Sequence, residues 1–201
     1  MIEEQDIIQI LNPFLDQIKN TDLRAKVIKT WMEGCRQGGW TTCAQLEQMP
    51  FTLATDPMGI SFLEHTRAVT QGALGLADAQ LNNYGDHLPY SIDRDRLIAG
   101  GLLHDIGKLL EIESDMQGGW RMSHGGKCMR HPISGVVLAQ RAGVPEDILN
   151  IIACHAKEGE GRAQVVETVL VHQADFATFT PLVMMTNKKL IMDGSHGTHT
   201  D

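Results

Sequence analysis

The chain has 201 residues, 42% hydrophobic and 21% charged, which suits one globular domain with a substantial core and excludes a disordered polymer. A formal charge of −8 argues against non-specific nucleic-acid binding, which draws on a basic surface, but leaves room for a small phosphorylated ligand held by one or two local cations. No apolar run approaches the roughly 20 residues that span a bilayer. The start, "MIEEQDIIQIL", is acidic where a secretory leader is basic, and Cys35, Cys43, Cys128 and Cys154 lack zinc spacing. A reduced, cytoplasmic protein is expected, with no membrane or nucleic-acid partner.

A helical period dominates, and hardly any segment alternates as a half-buried strand does. The first helix is predicted over 3–19. The second runs over 22–35, with Asp22 as N-cap and "RQGGW" as its stop. "TTCAQLEQ" is a short capped turn, and "MPFTLATDPMG" an irregular connection. Ser61 caps a long third helix that places Phe62, His65, Val69, Gly72 and Leu76 on one face. The next helix is expected to run unbroken through "DRDRLIAGGLLHDIGKLLE", with Leu97, Gly101, His104, Asp105 and Lys108 on a shared face. A loop, "SDMQGGWRMSHGGKCMR", leads to His131 and to Pro132, which suits the first helical position. Pro145 opens a helix that carries His155 below Ile148 and Ile151 or Ile152, and the last clear helix covers 163–179. The predicted architecture is all-α: accessory helices over 1–50, the main domain over 51–187, and a flexible tail over 188–201.

Six ionisable residues sit on apolar helical faces: His65, His104, Asp105, His131, His155 and Asp175. A lone histidine in such a place is usually a hydrogen-bonded core residue. An unpaired buried charge costs several kcal/mol or more, so each such group needs a partner, a proton or a metal. Four imidazoles and two carboxylates on five segments would need many private partners, and a shared metal centre satisfies all of them at once. Imidazole and carboxylate favour Fe, Mn, Zn, Co or Ni over Ca or Mg. Asp105 is able to bridge two metals while His104 binds one.

The ordered set His65, His104-Asp105, His131, His155 and Asp175, with the local form "HDIGK", resembles the HD-domain superfamily of metal-dependent phosphohydrolases over roughly residues 60 to 180. The resemblance implies an HD-domain helical bundle with a five-helix core. His65, His104, Asp105 and Asp175 would hold one divalent metal. Asp105, as bridge, with His131 and His155 would hold a second, with Fe or Mn expected first. It also implies that Lys108 points into the site and contacts substrate phosphate, a role that suits a point charge beside developing negative charge.

The activity so implied is hydrolysis of a phosphomonoester or phosphodiester of a nucleotide or similar small metabolite by metal-activated water, with Asp105 and Lys108 catalytic. His124, Arg130 and His172 are further candidates for substrate contact. "CHAKEGEGR" has one histidine and no GYP element, so it departs from the cyclic-dinucleotide phosphodiesterases of the superfamily. Ligand order looks closer to the compact diadenosine-tetraphosphate hydrolases and related stand-alone members. The same ligands also serve HD-fold mixed-valent di-iron oxygenases, and a silent metal-binding regulatory module is a third reading.

Overall fold

The computed structural model describes residues 1–115 and 117–191. The first expected helix is in fact two, α1 (Glu4–Leu11) and α2 (Phe14–Gln17). They part at Pro13, which has no N–H and whose ring clashes with a helical carbonyl four residues back. α3 (Thr21–Gly38) begins earlier than expected because Asn20, not Asp22, is its N-cap: Asn20 Oδ1 accepts from the Leu23 N–H at 3.0 Å. Asp22 instead occupies the first turn, where an acid complements the helix dipole. α4 (Cys43–Gln48) is the expected capped turn, closed by Thr42 and Gln45. α5 (Phe62–Tyr84) starts under Ser61, whose backbone N–H donates to Glu64 Oε2 at 2.8 Å in a capping box.

The segment expected as one helix through the HD dipeptide is broken there. α6 (Arg94–Leu103) ends, residues 104–107 form a turn, and α7 (Lys108–Glu111) resumes for a single turn. Across the break the hydrogen bonds tighten to i→i+3 spacing, with Ile106 N–H donating to Leu103 O at 3.0 Å and Lys108 N–H to Asp105 O at 2.8 Å. Gly107 permits this. A Cβ there would run into the His131 carbonyl and lie 2.7 Å from Ser134 Oγ, so the turn presses its backbone directly on the next long helix.

The expected loop contains a small hairpin, β1 (Ile112–Ser114) and β2 (Trp120–Met122), antiparallel with Ile112 opposite Met122, followed by α8 (His124–Cys128). α9 (His131–Ala142) has Pro132 in its first turn, and α10 (Glu146–Cys154) follows Pro145. α11 (Val166–Thr186) starts later than expected and continues past Pro181, because Leu182 and Val183 extend its half-buried face. Residues 192–201 of the expected tail lie outside the described residues.

The fold is all-α apart from that hairpin, with a helical core over α5–α11 and α1–α4 added at the N-terminus. α5 packs along both α6 and α11, α9 along α10 and α3. At the α5–α6 crossing a Cβ on Gly101 would lie 3.0 Å from Thr70 Cα, so the two helices approach closely there.

The N-terminal helices share one apolar core with the rest: Ile7, Leu15, Ile18, Val27 and Trp31 are all fully buried in it. Polar contacts fasten them further. Asp95 accepts from the backbone N–H groups of Lys19 and Asn20 at 2.9 and 2.7 Å, and Arg67 donates to Ile10 O at 2.7 Å. Trp31 Nε1 donates to Leu102 O at 3.1 Å and Trp40 Nε1 to Leu109 O at 2.7 Å, one indole on each side of the HD turn. All four cysteines are free thiols, and burial pushes Cys35 up to about 12. Among the described residues no helix is long and apolar enough to cross a membrane.

Candidate metal centre

Five elements deliver the six predicted residues to one point. His65 lies in the first turn of α5, fixed by the Ser61 cap, and His104 and Asp105 lie in the turn between α6 and α7. His131 is the first residue of α9, His155 the C-cap of α10, and Asp175 sits midway along α11. The break after Leu103 resolves a difficulty of adjacent ligands, because residues 104 and 105 on a regular helix diverge by about 100°. In the tighter turn both reach the same centre.

Asp105 is the middle of the arrangement. Its Oδ2 lies 3.4 Å from His65 Nε2 and 3.3 Å from His104 Nε2, and its Oδ1 lies 3.2 Å from His131 Nε2 and 3.4 Å from His155 Nε2. Asp175 Oδ1 is 3.1 Å from His65 Nε2. Two clusters of ligand atoms result, His65–His104–Asp175 and Asp105–His131–His155, each with its atoms within 4.8 Å of one another. One carboxylate therefore faces two imidazoles with each of its oxygens, as a bridge between two cations does.

The imidazoles are held from behind. His104 Nδ1 donates to Gly101 O at 2.7 Å and His155 Nδ1 to Ile152 O at 2.9 Å, which leaves the lone pair on Nε2. His131 Nδ1 donates to a carboxylate, Glu111 Oε2, at 3.0 Å. Phe51 stacks on His65 with ring centroids 4.5 Å apart. The front nitrogens of His65, His104 and His155 are buried without a hydrogen-bond partner. Each such orphan costs about 1–3 kcal/mol, and a bound cation removes that cost. The residues present thus fit a pair of divalent transition metal ions, as the donor set predicts.

Electrostatics agree with a cation site. Burial works against ionisation of Asp105, but Lys108 and the surrounding imidazoles hold its carboxyl well below the usual carboxylate range. Burial likewise opposes a charge on Asp175, and the adjacent His65 lowers it. For His65, burial opposes protonation, yet Asp105 and Asp175 raise the imidazole above its ordinary value. Burial pulls His131 down against the opposing carboxylates of Glu111 and Asp105.

A cavity of about 560 Å³ opens over the cluster, reaching His65, His131 and Asp175 at its floor. Lys108, Arg130 and Lys157 supply positive charge to its lining, and Phe51, Phe176 and Phe179 supply apolar wall. Lys108 Nζ donates to Asp105 Oδ2 at 2.6 Å and to Phe51 O at 2.7 Å, so it does point into the site. Arg130 lines the cavity, half-exposed, with Nε 3.5 Å from Glu111 Oε1. His124 is not among the lining residues and lies exposed at the start of α8. His172 is not among them either, and its Nδ1 donates to His155 O at 2.6 Å. Lys157 is exposed and also lines the cavity.

Two residues at the site are absent from the sequence expectations. Phe51 combines a ring on His65 with a carbonyl on Lys108, and a single aromatic in an irregular stretch gives no sign of either. Glu111, only 6% exposed, does leave a signal in the sequence: an acid closing the leucine-rich "GKLLE" is as poorly placed for burial as Asp175.

An all-α bundle that gathers H…HD…H…H…D around one bridging aspartate defines a metal-dependent HD-type protein. Residues 62–177 match the HD domain family, and the chain belongs to it. Over 169 residues it is 29% identical to dihydroneopterin 2',3'-cyclic phosphate phosphodiesterase of Methanocaldococcus jannaschii, covering 81% of this chain and 65% of that one. It is 37% identical over 84 residues to ribonuclease Y of Thermotoga maritima, covering 42% of this chain and 14% of that one. With ribonuclease Y of Pseudothermotoga lettingae the identity is 33% over 117 residues, covering 58% and 18%. The chain thus spans less than two-thirds of the length of each of these relatives. No solved structure matches it significantly.

Proposed function

We propose that the protein is a metal-dependent phosphohydrolase that cleaves a phosphomonoester or phosphodiester of a nucleotide or similar small metabolite. The observation that carries this reading is Asp105, whose two oxygens each face two imidazole nitrogens while Lys108 stands beside it at the floor of a cavity. Two divalent ions held by these residues would lower the pKa of a water between them and polarise a phosphoryl oxygen. His65, His104 and Asp175 would hold one ion, His131 and His155 the other, and Asp105 both. Fe or Mn suits this donor set best, with Zn, Co or Ni also compatible.

The chain's own groups supply the rest. Lys108, already inside the cavity, places a point charge beside the phosphoryl oxygens as they gain charge. Arg130 and Lys157 at the cavity wall offer further contacts for phosphate, and the phenylalanines offer a surface for an apolar or planar portion of the substrate. Asp105, placed to hold both ions, would also help to orient the attacking water. The relatives, a cyclic phosphate phosphodiesterase and a ribonuclease, support phosphoester chemistry over oxygenation.

The test is metal analysis of protein purified without chelator, followed by assay with Mn and with Fe. Nucleotides, cyclic phosphates, dinucleoside polyphosphates and a short RNA are offered as substrates while oxygen consumption is followed. Release of phosphate or opening of a cyclic ester, lost in Asp105→Ala, supports the reading. Oxygen uptake with no phosphoester cleaved on any substrate would favour the oxygenase instead.

A further inference from the structure

The two halves of the centre are unequally charged. On one side Asp175 joins His65 and His104 as a carboxylate ligand of its own, whereas on the other His131 and His155 share only the bridge, Asp105. Behind His131, however, stands Glu111. Its Oε2 accepts from the His131 backbone N–H at 2.5 Å and from His131 Nδ1 at 3.0 Å, so that one oxygen fixes both the ring and the start of α9. His104 and His155 have only backbone carbonyls in the equivalent place.

The neighbourhood holds the Glu111 side chain to that single pose. A Cβ on Gly126 would lie 2.8 Å from Glu111 Cγ, so α8 closes directly over it. Ser123 ties the two segments together, its N–H donating to Glu111 O at 2.8 Å and its Oγ to Leu110 O at 2.6 Å. The remaining cation nearby, Arg130, has a half-exposed side chain with Nε 3.5 Å from Oε1, too far for a strong pair.

On the two-ion reading above, we propose that Glu111 is a positioning residue that supplies, through His131, the negative charge the second metal site lacks among its direct ligands. A carboxylate behind a ligating imidazole fixes its tautomer and raises its donor strength, and losing such a partner typically weakens metal binding about 10–100-fold. Glu111 lines the cavity but belongs to neither cluster of ligand atoms, so it acts on the second site through His131. Its effect is confined to the Asp105–His131–His155 side.

The test compares metal-free wild type, Glu111→Gln and Glu111→Ala by calorimetric titration with Mn(II), with no substrate present. Wild type is expected to take up two ions. Glu111→Gln is expected to bind the first unchanged and the second about 10–100-fold more weakly, and the spin-coupled EPR signal of a Mn pair should give way to the spectrum of an isolated ion. His131→Ala, which removes a ligand outright, sets the scale for a lost second site. The near-isosteric Gln variant preserves packing if the Ala variant does not fold, and the thermal midpoint of each metal-free protein is measured alongside. A Gln variant that binds both ions as wild type does overturns the proposal. So does one whose metal-free midpoint drops while both affinities hold, since Glu111 would then merely anchor α8. A wild type that takes up a single ion overturns the two-ion reading itself, and this proposal with it.

Discussion

Lys108 and the buried Asp105 form a partly buried ion pair, Nζ to Oδ2 at 2.6 Å, on the same oxygen that faces His65 and His104. The lysine is thus a competitor of the cation expected there and a candidate contact for phosphate. These two roles separate in a mutant. Lys108→Ala should bind metal as tightly as wild type or more tightly, while kcat for phosphoester hydrolysis falls about 10²–10³-fold, as when one preorganised electrostatic donor is removed. Metal titration and steady-state kinetics on one preparation check this, and loss of metal would assign Lys108 to the scaffold instead.

Asp105→Asn should abolish uptake of both ions, because each oxygen serves a different cluster. Asp175→Asn should affect the His65–His104 side alone. Losing several kcal/mol of transition-state stabilisation corresponds to a rate loss on the order of 10³-fold or more. Metal content per chain by elemental analysis distinguishes the two variants before any substrate is known.

Chelation should lower stability markedly. A ligand that binds only the native state at 1,000 times its Kd adds about 4 kcal/mol per site. For a chain of this size each kcal/mol moves Tm by roughly 2–4 °C. Treatment with EDTA is therefore expected to lower Tm by roughly 8–16 °C per vacated site, and replacement with Mn should restore it. A Tm indifferent to chelator would count against ion binding at the orphaned imidazoles.

Gly107→Ala tests the turn. The added Cβ meets the His131 carbonyl and Ser134 Oγ, so either the HD turn or α9 must shift. Overpacking of this kind costs about 1–3 kcal/mol, measurable by urea denaturation. Because His131 opens α9, affinity for the second ion should fall together with stability.

The ligand set was readable from sequence because each of its residues is a polar intrusion in an apolar helical pattern, and Ser61 with Glu64 marks the start of the helix that carries His65. The interruption at 104–107 was not readable, since leucines and isoleucine on both sides continue the helical period through it. Strands of three residues are too short to show alternation, which hid the hairpin. Phe51 and Glu111 act through contacts distant in sequence: Phe51 reaches His65 and Lys108, and Glu111 lies 20 positions from His131. No local pattern encodes such meetings.

The family match begins at residue 62, but the indoles of Trp31 and Trp40 grip the backbone on either side of the HD turn, and Phe51 holds Lys108. The stretch that matches the family and the stretch that packs into one apolar core therefore have different edges here. A fragment cut at the family boundary would keep all six metal-facing side chains and lose the clamp that keeps two of them in register. Anyone dissecting this protein should cut before α1 rather than before α5.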